Sequence, residues 1–440
     1  MKIVFYTTSS TNTEKGRAFY LPRKADCWDE LANDFPEHEI VVVAQEPAYF
    51  LIDRNTDGKI IEPQQVKYII TEESATAEEI AQKIIDTRCN IAVAVSISSV
   101  PFDWNGIKDS AIAEILNANG IKTIANPVTT SMIFFDKWQT HQKLKNCGFN
   151  VANAVYVNNS LFFAERNQGN IRNNVYRESI LLQIQKLRYP VIIKPTTGSA
   201  SFRTEIVQSF EIAKGKLCSK KNKTDLLVEE FLDGEQFGIE IYRANDEYVV
   251  SQLFLLSVNA DGVVEPMKNI KIGPIIDAKY TIPQLQTQLK KLAEEFSFGA
   301  ITQVDVIFKD NTWYIIEINP RLSGLTATIA ASQGRNIFSI LMDSALGTQG
   351  KYSHNDNSIY AISFKIPELD DDTLKSLFEN TFVTLISDFP LGKSAYREII
   401  IGGQNTKQKL LADVQELSKE FPCIINKEIR KKIEVLVKKL

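Results

Sequence analysis

Histidine and cysteine are scarce in this chain. It has three His and five Cys in 440 residues. Cys27, Cys89, Cys147, Cys218 and Cys423 lie far apart and form no Cys-x-x-Cys pair. So little is left for a soft-metal site that zinc chemistry is not expected. An odd, scattered set of cysteines reads as reduced thiols in a cytoplasmic protein. No apolar run approaches the roughly 20 residues that cross a bilayer, so no membrane partner is expected. The opening Met1-Lys2-Ile3-Val4-Phe5-Tyr6 is too short for a signal peptide and lacks its cleavage region; it reads as a first strand. Charge of one sign is also missing: 50 Lys and Arg against 54 Asp and Glu leave a net charge of −4. Such a field does not gather polyanions, which argues against nucleic acid as a principal partner. The turn after the first strand, Thr7-Thr8-Ser9-Ser10, is no Gly-x-Gly-x-x-Gly and gives a dinucleotide site little support.

What is present is the composition of a soluble globular protein, 44% hydrophobic and 24% charged. The chain is too long for one ordinary core, and two to four domains are expected. Over the first ~125 residues, β-rich runs at Ile3–Thr7, Ile40–Ala44, Tyr68–Thr71, Ile91–Ser96 and Lys122–Ala125 alternate with helical periodicity. The helices fall at Ala77–Thr87 and Ser110–Ala118, the second stopped by Gly120. Such alternation implies a parallel sheet with helices on its faces. Asn126-Pro127 breaks the chain, and Ser131–Lys145 then reads as one helix ending near Gly148, with Asp136-Lys137-Trp138 in its first half. The stretch Asn158–Ser179, rich in Asn, Arg and Glu, reads as an insertion or mobile loop. Beyond Tyr360 come strands (Tyr360–Lys365, Arg397–Ile401) and helices (Gln408–Glu420, Lys427–Leu440). The last, with Ile429, Ile433, Val435 and Leu436 among lysines, reads as a packed amphipathic helix.

The most informative stretch runs from Gln303 to Gly324. Two apolar runs, Val304–Phe308 and Trp313–Ile318, flank the turn-forming Lys309-Asp310-Asn311-Thr312 and make a hairpin. Asp305 sits inside the first strand. Glu317 and Asn319 end the second, two residues apart and so on one face, and Arg321 follows on the same side if the extended path continues. An acid inside an apolar strand is costly unless paired or metal-bound. Hard oxygen groups on paired strands beside a cation suit Mg²⁺ holding a polyphosphate, because Mg²⁺ takes few carboxylates and keeps phosphates as ligands. Upstream, the strand Tyr189–Lys194 ends in a lysine, and Thr196-Thr197-Gly198-Ser199-Ala200-Ser201-Phe202 forms a turn of small and hydroxyl residues. That arrangement brings backbone N–H groups and one cation to a phosphate. It is not a Walker A loop, because Gly-Lys-Ser/Thr is absent there.

This constellation resembles the ATP-grasp superfamily, carboxylate–amine ligases and their relatives, in which an acid followed by a Glu-x-Asn pair binds Mg²⁺. On that resemblance Asp305, Glu317 and Asn319 are the metal ligands, and Arg321 contacts the acyl phosphate or the substrate carboxylate. Asp136-Lys137 matches an Asp-Lys that begins a helix in the family, which puts Lys137 on the nucleotide's phosphates. Lys194 would hold the α- or β-phosphate, and Gly198-Ser199 would belong to the phosphate loop. Its low glycine content departs from the family pattern and argues against a biotin-carboxylase relative. Leu226–Glu235 resembles the adenine-binding linker. There Glu229 would accept from the adenine amino group, and the backbone of Glu230, Phe231 and Leu232 would pair with the adenine edge. The ribose position falls on Gln236, with the acid Glu235 one place early, and either can bond hydroxyls. Lys271, rather than Lys268, matches a basic residue that meets the γ-phosphate. Ser323-Gly324-Leu325-Thr326 resembles a turn leading into a helix that lines the acceptor site.

The resemblance covers about Asn126 to Leu346 and implies an α/β and α+β fold. A Rossmann-like domain over 1–126 would precede a two-subdomain ATP-grasp fold, with a nucleotide lid over 127–228 and a metal and catalytic part over 229–350. A small C-terminal α+β subdomain over 351–440 would complete it. The implied cofactors are ATP and Mg²⁺, with Mn²⁺ as a substitute. The implied partners are a small-molecule carboxylate and amine, amino acids by the overall layout, and a homodimer is left open. The implied activity is ADP-forming ligation through an acyl phosphate. Two rivals stand beside it, an ATP-dependent carboxylase using bicarbonate and a non-catalytic ATP-binding regulator; retention of every metal ligand speaks against the second.

Overall fold

A computed structural model describes residues 1–8, 24–46, 53–54, 59–97, 102–166, 168–198, 203–244, 247–259, 261–262, 264, 268–335, 337–348, 359–367, 369–370, 372–373, 376–377, 385–391 and 394–440. The run Ile3-Val4-Phe5-Tyr6 is apolar on both faces because both are buried. It forms β1 (Lys2–Thr7), followed by α1 (Lys24–Asp34) and β2 (Glu39–Gln45). A two-residue ribbon, β3 (Asp53–Arg54) with β4 (Ile60–Ile61), leads to β5 (Lys67–Thr71), α2 (Ala77–Asp86), β6 (Ile91–Ala94), α3 (Asn105–Ala118) and β7 (Lys122–Ile124). The five longer strands make a parallel sheet ordered β5-β2-β1-β6-β7. Ile3 and Phe5 pack with Trp28 and Leu31 of α1, and Val4 and Tyr6 with α2 and α3, as strands covered on both sides require. The expected Rossmann-like sheet is formed.

The single helix expected over Ser131–Lys145 is two, α4 (Val128–Phe135) and α5 (Lys137–Asn146). Asp136 leaves helical geometry (φ −104°, ψ 117°) and its carboxylate accepts from Gln139 N–H. It therefore caps α5 and places Lys137 in the first turn. Next comes an antiparallel sheet ordered β10-β9-β11-β8, built from β8 (Ala154–Val157), β9 (Val191–Pro195), β10 (Glu205–Val207) and β11 (Leu226–Glu230). Its cover is α6 (Asn159–Phe162), α7 (Val175–Gln185) and α8 (Phe210–Leu217). The Asn-rich stretch expected to be an insertion or mobile loop is packed structure instead. Asn158 and Asn174 cap α6 and α7, and Phe162 is fully buried. Its polar composition reflects capping.

The largest sheet contains β12 (Glu235–Ala244), β13 (Glu247–Val250), β14 (Phe254–Leu256), β15 (Lys271–Gly273), β16 (Thr302–Lys309), β17 (Thr312–Asn319), β18 (Tyr360–Pro367), β19 (Leu385–Leu391) and β20 (Ser394–Gln404). These are antiparallel in the order β17-β16-β12-β14-β15-β18-β20-β19, with β13 on β12. The C-terminal strands thus continue this sheet. Asp310 and Asn311 both take positive φ (49° and 58°) between β16 and β17, the tight hairpin turn that Asp and Asn tolerate.

The sheet has two unlike faces. Phe237, Ile239, Ile241, Val304, Val306 and Ile362 pack into a core shared with α9 (Ile282–Glu295). Gln236, Gly238 and Glu240 alternate with them and point the other way. On that second face lie α10 (Gly324–Ser332) and α11 (Ile337–Leu346), and Phe338 of α11 stacks on Trp28 at 3.7 Å, joining the leading domain. The C-terminal helices α12 (Lys407–Glu420) and α13 (Lys427–Val437) close the apolar core. Ile433 and Leu436 are buried as expected, but Val435 is 58% exposed, because it lies off the three-to-four-residue stripe. Among the described residues no helix is long and apolar enough to cross a membrane.

Candidate active site

Strict alternation in β17 would bury Glu317. Trp313 and Ile315 face the core, and a period of two would send Glu317 after them. The register against β16 shifts between Asp305 and Val306. This bulge at Ile316 resets the phase, so Ile318 returns to the core and Glu317 and Asn319 turn away from it. Asp305 stands opposite Glu317 on one side and opposite Gly238 on the other. Burial, then the charge of Glu317, push the Asp305 carboxyl up to about 7, against the Gln303 amide 2.5 Å away. For Glu317 burial also acts upward, but the ammonium groups of Lys137 and Lys194 outweigh it and hold the carboxyl below its ordinary range. Lys137 Nζ lies 3.0 Å from Glu317 and donates to Gly198 O at 2.7 Å.

A cleft between the smaller antiparallel sheet and the large one gathers most of the expected nucleotide residues: Lys137, Lys194, Gly198, Glu229, Glu230, Phe231, Leu232 and Gln236, with Glu317 beside them. Gly198 has φ 128°, a conformation that a side chain would oppose. Ser199 lies outside the described residues. Lys194 and Glu229 pair at 2.5 Å. The hinge is more committed than the sequence implies. Glu230 N–H donates to Asn153 O and Phe231 N–H to Pro190 O, and the Glu230 carboxylate accepts from Asn153 and the Arg188 amide. Of the Glu230–Leu232 backbone expected at the adenine edge, the first two amides are thus already bonded, and only that of Leu232 has no acceptor among the described hydrogen bonds. Strand phase also separates Glu235 from Gln236. Gln236 faces the cleft and donates to Gly262 O at 2.8 Å. Glu235 points to the opposite side, where Tyr280 and Lys439 hold it at 2.8 and 2.7 Å, so its expected ribose role is corrected.

Arg321 and Lys271 stand off this cleft wall. The chain does not stay extended past Asn319: Arg321 N–H bonds Asn319 O at 2.8 Å across Pro320. The guanidinium meets Asp103 of the leading domain through Nε at 2.7 Å and through Nη2, and reaches Asn319 Oδ1 at 3.0 Å. It lines a second, tight crevice with Ser96, Asp109, Ser110 and Asn126. This crevice lies at the ends of β1 and β6, where the strand order reverses, the usual ligand position of such sheets. Burial pushes the Asp109 carboxyl up to about 7, despite the hydroxyls of Ser96 and Thr8 donating to it. Lys271 lies under the first turn of α10, bonded to Glu398 at 2.7 Å.

Four acids near the site had drawn no attention in the sequence: Asp103, Asp109, Glu240 and Glu398. Glu240 is 1% exposed; its Oε1 accepts from the hydroxyls of Ser323 and Thr326, while its Oε2 has no partner among the described residues. For Glu240 the signal was present, since Phe237-Gly238-Ile239-Glu240-Ile241 places an acid within an apolar run, as Asp305 is placed.

Residues 134–325 match the ATP-grasp domain family. The segment that builds the cleft is thus similar to an ATP-grasp domain. A D-alanine–D-alanine ligase of Fervidobacterium nodosum is 24% identical over 250 residues, 54% of this chain and 75% of that one. Two other curated relatives are spanned for only 63% and 60% of their length. An L-amino acid ligase from Bacillus licheniformis shares the fold at TM-score 0.65 and 15% identity, over 95% of this chain and 97% of that one. The biotin carboxylase domain of a Hydrogenobacter thermophilus 2-oxoglutarate carboxylase, solved with MgADP, ADP and bicarbonate, gives TM-score 0.60 at 14% identity, over 94% and 89%. The donor set of the cleft fits a hard divalent cation. Asp305 and Glu317 are cross-strand neighbours, and Asn319 follows on the same face. Two carboxylates and an amide leave room for the phosphate and water ligands that Mg²⁺ keeps.

Proposed function

We propose that the protein is an ATP-dependent ligase that joins a carboxylate to an amine, with amino acids as substrates. The observation that carries this reading is the Asp305–Glu317–Asn319 set on paired strands, with Glu317 on the wall of the cleft that Lys137 and Lys194 also line. In that reading the Lys137 and Lys194 ammonium groups hold the phosphate chain, Glu229 and the Leu232 amide hold the adenine edge, and Gln236 meets the ribose. Asp305, Glu317 and Asn319 would hold Mg²⁺, which when bound offsets negative charge on the phosphoryl group in transfer. The substrate carboxylate attacks the γ-phosphorus and the bond to ADP breaks, giving an acyl phosphate. The amine then attacks the acyl carbon, phosphate leaves, and the amine gives up a proton. Arg321 would grip the acid component, and the crevice beside Asp109 would receive it. The work of the protein is positioning and electrostatics, as phosphoryl transfer requires.

The experiment is a screen of amino acids, singly and in pairs, for ADP release with Mg·ATP. Release that needs both an acid and an amine is the expected result. AMP and pyrophosphate as products would overturn the reading, because adenylation breaks a different bond.

A further inference from the structure

The C-terminal strand β20 sends one buried acid toward the catalytic face. Glu398 and Lys271 bond at 2.7 Å with side chains only 4% and 13% exposed. Ser363 fixes the same carboxylate oxygen at 2.9 Å, and Thr328 of α10 bonds Ser363 at 3.1 Å. The pair abuts the first residue of α10: a Cβ on Gly324 would stand 2.8 Å from Lys271 Nζ and 3.6 Å from Glu398 Oε2. No side chain can replace that glycine without moving the ammonium. The charge of Lys271 is felt by Glu240 and Asp305 as well as by Glu398. Lys365, in register with Glu398 on the next strand, supplies a second cation to the same acid. One carboxylate thus faces two lysines, and only Lys271 lies toward the metal strand.

We propose that Glu398 is a positioning residue for Lys271, holding its ammonium directed at the first turn of α10. The proposal rests on the reading of Lys271 as the cation that meets the γ-phosphate. An ammonium this enclosed would leave its place without an acid partner. The C-terminal segment then belongs to the chemistry of phosphoryl transfer.

The test uses the full chain and compares Mg·AMP-PNP with Mg·ADP by calorimetry, since only the first carries a γ-phosphoryl group. Glu398→Gln and Lys271→Met should each weaken AMP-PNP about tenfold, the scale of one charge-assisted contact, and leave ADP unchanged. The double variant should lose no more than either single one, because the acid acts through the lysine. Glu398→Asp should recover part of the loss. Should Glu398→Gln fail to fold, Ser363→Ala removes the hydroxyl that fixes the carboxylate and should shift the AMP-PNP preference the same way by less. If Lys271→Met binds AMP-PNP as the parent does, the reading of Lys271 falls, and this proposal with it. If Lys271→Met is weakened but Glu398→Gln and Ser363→Ala are not, only the proposal falls. Equal weakening of ADP and AMP-PNP would make Glu398 a purely structural residue.

Discussion

Replacing Glu240 by Gln should make the protein less sensitive to alkaline pH. Burial raises this carboxyl from 4.5 to about 7 against the pull of Thr326, Ser323 and Lys271. For an acid raised on folding, the stabilising contribution is complete below the unfolded pKa and is lost as pH rises through the folded one. Between pH 4.5 and pH 7 the native protein therefore loses stability at this site, and above pH 7 the loss is constant. A shift of about 2.5 units corresponds to roughly 3 kcal/mol. The glutamine keeps Oε1 for the two hydroxyls, and its buried amide N–H₂ costs about 1–3 kcal/mol at every pH. The observable is consequently the change of the variant–parent difference with pH. Urea unfolding followed by intrinsic fluorescence should give a difference about 2 kcal/mol more favourable to Glu240→Gln at pH 8 than at pH 5. An identical difference at the two pH values would refute the reasoning, because Glu240 would then ionise in the folded protein as it does in the unfolded chain.

The remaining predictions concern the site directly. Glu317→Gln keeps the shape of a metal ligand but removes its charge, and kcat should fall on the order of 10²-fold; near-normal turnover at saturating Mg²⁺ would contradict a metal role. Lys137→Met and Lys194→Met should both weaken ATP binding in calorimetry, and Lys194→Met should raise the KM for ATP as well as lower kcat. Unchanged affinity in both would displace the phosphate site. Arg321→Lys should fold and bind ATP yet lose most ligation, because lysine cannot reproduce a planar two-bond grip. If Asp103→Asn matched that loss in full, Arg321 would matter only as a tie to the leading domain.

The strands were legible because apolar runs and turn residues mark them locally. The leading sheet and the hairpin from β16 to β17 could be drawn from spacing, whereas the joining of Asp305 to Glu317 and Asn319 came from the family resemblance and depends on a bulge that spacing does not show. Other features depended on where the chain meets itself. The choice between Glu235 and Gln236 is a matter of strand phase, and the turn before β12 does not declare which residue begins the strand. Asp136 reads as one more residue of a helix until its carboxylate is seen capping α5. Asn158 and Asn174 suggested loop by composition, yet each closes a helix start. Asp103 lies 218 residues from Arg321, and no local pattern announces that pairing. Glu398 owes its meaning to β20 joining the same sheet as β15, a pairing across more than a hundred residues.

The bulge at Ile316 gives β17 one residue more than its pairing with β16 uses. Ile316 and Glu317 stand side by side on the cleft wall, a juxtaposition that a regular strand forbids. One strand thus offers an apolar surface and an acid to two parts of one ligand that differ in character. A single deletion can separate the two. Without Ile316 the strand becomes regular, Glu317 keeps its place opposite Asp305, and only the apolar wall is lost. Removing that residue should weaken nucleotide affinity while Mn²⁺ binding, read by electron spin resonance, persists; loss of both together would mean the extra residue is needed to aim the acid.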